Sequence, residues 1–450
     1  MDSSSLRENG LKLKIVHPRL VLGITCIFLI AFLRIALSIN IPVLVFIVVC
    51  TIISFTLNKE ELIAFLVSLI AFSSLFQYRY GIYIAALTLL YKERGEKTKY
   101  RYAVLLLIMM IWEVMHANIS HLEPYGFLQE FSELIALFVV LMKPKRDYRT
   151  GLPMRTLAYS TVISCIINLI ATVKFYGFSA SALVRLGNVN RVETGDFMGI
   201  MNPNIAAFLC LLAVCGLLLL RQYDNESVGD GIIIGVLVVF MLLTQSRSAL
   251  LCLILVYAMY AIWGFNKSKT INSSRVIGTL IGLLIISIII PVFFGDTINA
   301  LVARFDTADL SNGRFQIFAF YHLHLTRTPL NYLFGVGLYK YNATMQDLYG
   351  SLWQSFAGLA RYDNGEIVYK VCHCNFQEVL VAWGIPGLIF IYLLIRSIIR
   401  HNRNTIEKVN YITLITILVF TIQFQFLTSG PVIIGLLFSL ICIEYSPNQL

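Results

Sequence analysis

Residues Val371–Gly387 read VCHCNFQEVLVAWGIPG, with His373 between two cysteines just ahead of an apolar run. Asn375 and Glu378 fit an N-x-x-E capping box that starts a helix at Phe376. The His373 ring then lies against that helix N-terminus, which disfavours imidazolium. A neutral imidazole at working pH is what a general base needs. Against this stands the ordinary alternative of a loop histidine making one structural hydrogen bond. Cys372, His373 and Cys374 also raise a metal site, with His322 and His324 as further ligands. Alternate residues of an extended chain point apart, so zinc is set aside and no metal is expected.

Three arginine clusters decide the balance. In LLTQSRSALL, Arg247 occupies the first turn of a helix after the turn Thr244–Ser246. A cation there opposes the helix dipole, and no acid lies nearby in sequence; an anion at that spot resolves the conflict. SNGRFQIFAF carries Arg314, followed by Gly335 and Gly337 in LFGVGLYKY, glycines that predict a tight turn or a close backbone approach. NRVETGDFMGIMNPN carries Arg191, then Asn202 as a cap, Pro203 at the first helical position, and Asn204. Taken singly, each cluster has a plain reading: a snorkelling or surface arginine, or a simple cap. Together they predict an anion pocket, since the arginine fork bonds two phosphate oxygens.

The elements that must hold these residues follow from composition. The chain has 450 residues, 58% hydrophobic and 13% charged, with mean hydropathy +0.77. That is too little charge to cover a soluble surface of this size. Apolar runs long enough to cross a bilayer recur from end to end. The predicted fold is all-α: a polytopic transmembrane helical bundle of 12–14 spans. Candidate spans lie near 20–37, 41–57, 62–76, 80–91, 102–115, 127–142, 156–173, 203–220, 231–243, 249–264, 276–294, 376–395, 411–427 and 432–445. Residues 1–294 form one part of the bundle, 295–375 a large loop of short helices over the outer face, and 376–450 the last helices. The first apolar run reads as a retained helix, because no small-residue cleavage site follows it.

The net charge of +10 does not point to nucleic acid. With the N-terminus inside, 23 of the 35 basic residues fall in the inside segments and 11 outside, although the outside segments include the longest loops. This orients the helices starting near 203, 249 and 376 inward, with all three N-termini on the outer side. Seven of nine cysteines lie within spans as small apolar fillers, so no disulfide framework is expected. Tyr332, Tyr339, Tyr341, Tyr349, Trp353, Tyr362 and Tyr369 enrich the large loop in rings suited to a carbohydrate or to a membrane interface.

The order R…G…NPN, TQSRSALL, SNGR…LFGVG and H.N…GIPG resembles the O-antigen polymerase and ligase superfamily over roughly the C-terminal 270 residues. The resemblance implies a GT-C-like fold and an active site on the periplasmic side of a bacterial inner membrane. It implies glycan transfer from undecaprenyl pyrophosphate with no metal or other cofactor. Arg247 and Arg314 would hold the donor pyrophosphate, with Arg191, Asn204 and Asn375 as further substrate-binding residues, and His373 would deprotonate the acceptor hydroxyl. Implied partners are the undecaprenyl-pyrophosphate-linked glycan, membrane lipid and a chain-length regulator protein. Two departures stand out: Cys374 separates His373 from Asn375, and Phe318 replaces the family's usual tryptophan after the second arginine. Polymerase is the favoured activity, elongating a lipid-linked repeat with inversion. A ligase transferring to a lipid A-core is the alternative. A lipid-linked glycan flippase is the rival of another class, opposed by the absence of an internal repeat and by the one-sided placement of Arg and His.

Overall fold

The computed structural model describes residues 17–72, 79–95, 100–116, 151–176, 203–222, 228–244, 246–267, 321–323, 329–337, 360–363, 366–369 and 375–401, with isolated positions besides. In chain order the described helices begin with α1 (Pro18–Ile35), α2 (Val43–Thr56), α3 (Lys59–Ala71), α4 (Arg79–Lys92), α5 (Tyr100–His116), α6 (Leu152–Tyr176), α7 (Pro203–Gln222), α8 (Val228–Thr244), α9 (Arg247–Lys267) and α10 (Leu330–Phe334). The strands β1 (Ala360–Asp363) and β2 (Glu366–Tyr369) and the helix α11 (Asn375–His401) complete the described elements.

Local signals set the helix starts. Pro18 opens α1, where its missing N–H costs nothing. Asn58 caps α3 in a full capping box: its side chain accepts from the Glu61 amide at 2.8 Å, and Glu61 accepts from the Asn58 amide at 3.0 Å. Pro203 opens α7, as the sequence predicts.

Side-chain contacts fix the directions of the helices. His17, ahead of α1, meets Glu61 in the first turn of α3 at 3.0 Å. Arg19 donates to Thr56 O at the end of α2, and Lys92 at the end of α4 donates to the carbonyls of Ser54, Phe55 and Leu57. A lysine ammonium thereby caps the carbonyls left open where α2 stops. At the other end, Lys174 in the last turn of α6 donates to Ala36 O just past α1. The first four helices therefore alternate up and down, and α6 runs parallel to α1.

The second half repeats the scheme. A Cβ on Gly151 would meet Leu220, and one on Gly216 would meet Met154, so α6 and α7 are antiparallel. Arg155 makes a forked contact with Asp230, 3.1 Å at its shortest, which brings the starts of α6 and α8 together. Cys252 lies within electrostatic reach of Cys215, and Arg221 of Tyr257, so α9 runs parallel to α7. The Cys165 and Cys210 sulfurs are 3.8 Å apart.

Every helix end that the inside–outside alternation groups together and that these contacts reach is grouped in space. Arg19, Lys92 and Arg155 gather at one end, which we call the basic end. The core is continuous between α3, α6 and α7, where residues Leu62–Ala71 and Ala206–Leu220 are almost wholly enclosed. Small polar side chains, Ser160, Ser164, Asn168 and Thr172, recur every four residues along the buried side of α6. Small residues of this kind let helix backbones approach closely where lipid supplies no hydrophobic drive.

Among the described residues, two helices, Pro18–Ile35 and Leu152–Lys174, are long and apolar enough to cross a membrane. Shorter apolar helices include Val43–Thr56, Ala206–Arg221 and Gly229–Thr244. Bands of apolar side chains face outward on α1, α2 and α5, among them Leu22, Leu44, Leu107 and Met115. The structure is thus predominantly helical, consistent with a helical membrane protein.

It corrects the all-α expectation in one place. Within 295–375 the strands β1 and β2 form an antiparallel hairpin, pairing Ala360 with Tyr369 and Asp363 with Glu366. The extended stretch Glu366–Tyr369 (EIVY) is rich in β-formers, and the intervening Asn-Gly is a strong hairpin signal. α10 is one of the short helices expected in that loop. The expected spans 276–294, 411–427 and 432–445 lie outside the described residues, as does nearly all of 127–142.

Candidate active site around the broken helix

The structure describes the backbone at three of the six sequence-selected residues. Arg247 is the first residue of α9, two residues before the expected start of that span. Asn204 is the second residue of α7, and Asn375 is the first residue of α11 rather than the residue preceding it. Helix ends shift by a residue or two between descriptions. Arg191, Arg314 and His373 lie outside the described residues.

Thr244 and Ser246 are each 4% exposed. Thr244 Oγ1 donates to Met241 O at 2.6 Å, and the Ser246 carbonyl accepts from Leu250 N–H, closing the first turn of α9. Because α7 and α9 are parallel, the start of α7 and this turn lie at the same end of the bundle, opposite the basic end. Two of the helix N-termini that the sequence assigns to one pocket therefore share an end.

The last helix is not continuous. α11 has a non-helical residue at Gly384, with φ 67° and ψ −161°, followed by Pro386. Only glycine takes that φ without penalty. In an unbroken helix the carbonyls of Val381, Ala382 and Trp383 would bond residues 385, 386 and 387, and residue 386 is a proline without an N–H. Each of the three carbonyls instead accepts a bond from outside the helix. Val336 N–H donates to Val381 O at 2.9 Å and Gly337 N–H to Ala382 O at 2.7 Å. The Trp112 indole donates to Trp383 O at 3.1 Å.

The two glycine motifs thus meet. The LFGVG segment of the large loop docks on the WGIPG break, at van der Waals limits. A Cβ on Gly335 would stand 2.4 Å from Ala382 O, and one on Gly384 would stand 2.8 Å from the Leu333 carbonyl. Gly335 and Gly337 both have positive φ, 75° and 89°. The close approach expected of these glycines is what the structure shows.

Behind the break stands a residue that sequence reasoning missed. Glu113, 1% exposed in the last turns of α5, accepts from the Trp383 indole N–H at 2.7 Å. An acid inside the apolar run LLLIMMIWEVM was itself the signal, because carboxylates at that depth persist only with partners. Trp112 also stacks on Phe334 and meets Phe390 edge-on, each with ring centroids 6.3 Å apart, so α5 touches both the loop helix α10 and α11.

Among the described residues no group of three or more His, Cys, Asp or Glu could hold a metal ion. What the geometry supplies is a helix interrupted under a docked loop, with helix starts gathered at the end away from the basic residues. These features are consistent with one class, a helical membrane protein. Within that class, residues 232–392 match the family model Wzy_C, described as O-antigen ligase. The match spans 161 of the 450 residues, and over that stretch the chain is similar to the O-antigen ligase family. No curated protein and no solved structure matches the chain.

Proposed function

We propose that the protein is a polysaccharide polymerase of the bacterial inner membrane. It transfers glycan from undecaprenyl pyrophosphate onto a lipid-linked repeat unit at the periplasmic face. The observation that carries this reading is the family match over 232–392, a stretch that contains Arg247, Arg314, His373 and Asn375. In this reading the bundle has 12–14 spans in a GT-C-like arrangement, the 295–375 segment caps the outer face, and the basic end faces the cytoplasm.

The reaction is an inverting displacement. His373 takes the proton of the acceptor hydroxyl as its oxygen attacks the anomeric carbon. The bond from that carbon to the pyrophosphate oxygen breaks, and the diphosphate leaves with the electron pair. Arg247 and Arg314 bind the diphosphate and stabilise the charge it gains, an effect of several kcal/mol in a site closed to water. Arg191, Asn204 and Asn375 line the substrate path, and no metal or other cofactor takes part. The lipid tail lies between spans, and a chain-length regulator is the partner protein.

The family's description favours one second reading, an O-antigen ligase that passes finished glycan to a lipid A-core. One assay separates the two. Purified protein in nanodiscs receives a single defined lipid-linked repeat and no core acceptor. A polymerase yields a ladder of longer lipid-linked chains, whereas a ligase yields product only when core is added. Translocation of the lipid across a vesicle with no glycan transfer in either arm would assign the protein to the transporters instead.

A further inference from the structure

Glu113 is a buried carboxylate for which the proposed reaction has no use. It sits beside Val114 and Met115, which face outward, and Ile111, also exposed, in an otherwise apolar turn. Taking a carboxylate from water into such surroundings costs several kcal/mol unless hydrogen bonds compensate. One of the groups that compensate it is the Trp383 indole, which is itself fully buried.

The neighbouring residue makes the arrangement a clamp. Trp112 donates to the Trp383 carbonyl, while Glu113 accepts from the Trp383 side chain. Two consecutive residues of α5 thus hold Trp383 by backbone and by ring. Trp383 immediately precedes Gly384, where the helix breaks. The break is what frees the Val381 and Ala382 carbonyls for Val336 and Gly337 of the loop. Upstream of the clamp, the segment Asn375–Trp383 rises about 12 Å to the helix start, at 1.5 Å per residue. His373 lies two residues before that start in sequence.

We infer that Glu113 is a positioning residue for glycosyl transfer: by fixing Trp383 it sets the break in α11, and with it the docking of residues 335–337 against the helix that leads from His373. This rests on the transferase reading given above. A misplacement of about 1 Å at a reacting group costs up to about 100-fold in rate.

The test uses full-length protein in nanodiscs with four variants: Glu113→Gln, Glu113→Leu, Trp383→Phe, and the double variant Glu113→Leu with Trp383→Phe. Turnover and acceptor KM are measured with a lipid-linked repeat. Amide exchange is followed by mass spectrometry on the peptide containing Val336 and Gly337. Glu113→Gln keeps an acceptor oxygen and should hold turnover within about threefold of wild type. Glu113→Leu and Trp383→Phe should each lower kcat at least tenfold and expose the Val336 and Gly337 amides to faster exchange. The double variant should be no worse than Glu113→Leu alone, because the bond to Trp383 is already gone in that variant.

Full turnover in Glu113→Leu overturns the inference. So does a Gln variant as impaired as the Leu variant, or a rate loss with the loop amides still protected. A double variant with multiplied losses also overturns it, because the two residues would then act separately. If wild-type protein transfers no glycan at all, the transferase reading fails. The exchange arm then still reports whether Glu113 holds the loop.

Discussion

The Gly337 amide donates to the Ala382 carbonyl at 2.7 Å, joining the large loop to the last helix at the point where that helix cannot bond to itself. Two sequence motifs about fifty residues apart are in this way one structural unit. Each supplies what the other lacks: the break leaves carbonyls open, and the loop brings N–H donors on a glycine backbone slim enough to reach them.

Gly335→Ala should undo this docking. The new Cβ would fall 2.4 Å from Ala382 O at a residue with φ 75°, so backbone must move. With φ 75° and ψ −171° the residue lies in a region held almost wholly by glycine, at a cost of about 1–3 kcal/mol for alanine. We expect the heat-unfolding midpoint in detergent to drop and turnover to fall at least tenfold. Gly235→Ala is the control, since nothing stands within 4 Å of its Cβ position, and it should be neutral or slightly stabilising. Equal behaviour of the two variants would show that the docking is not under steric constraint.

Gly384→Ala tests the break itself. Here too φ is positive, 67°, and the Cβ would press on the Leu333 and Tyr332 carbonyls at 2.8 Å. Loss of stability by about 1–3 kcal/mol is expected, accompanied by faster amide exchange at Val336 and Gly337. An alanine variant with unchanged exchange would mean that Pro386 alone enforces the break.

Arg155 and Asp230 should matter for stability and not for transfer. Asp230 is 1% exposed, and removing one partner of a buried pair costs about 3–5 kcal/mol. The Arg155 side chain keeps 23% exposure, so Asp230→Asn should fall at or below the low end of that range. Kinetic constants per folded molecule should be unchanged. A variant that folds normally but turns over slowly would move this pair into the functional machinery.

Arg247→Ala should lower transfer about 10²–10³-fold, the range seen when a transition-state charge partner is removed. Arg247→Lys should recover only part of that, because an ammonium offers no fork for two phosphate oxygens. Full activity in the lysine variant would reduce Arg247 to a general positive charge.

Much of this was legible in the sequence. The positions of Lys92, Arg94 and Arg155 gave the alternation of helices, and contacts at both ends of the bundle follow it. Pro203 and Arg247 marked helix starts correctly, since caps and turn residues act locally. The glycines of LFGVG announced a close approach, though not its partner, because nothing local in a loop names a helix about fifty residues on. The break at Gly384 went unread: its run of apolar residues has helical periodicity, and only WGIPG hinted at the φ change. Glu113 was missed although the rule applied to arginine and histidine at membrane depth applies equally to a carboxylate. The β1–β2 hairpin also went unread, because the large loop was expected to hold short helices, despite the Asn-Gly between its strands.

The proposed reaction separates two roles: base chemistry on the His373 imidazole, donor binding on the arginines. The direct measurement compares His373→Ala with wild type in donor affinity and in single-turnover rate, using one defined polyprenyl-pyrophosphate glycan. Donor affinity should stay within about threefold while the rate falls about 10²–10⁴-fold, the usual contribution of a general base. Parallel loss of affinity and rate, or a rate that does not change, would contradict it.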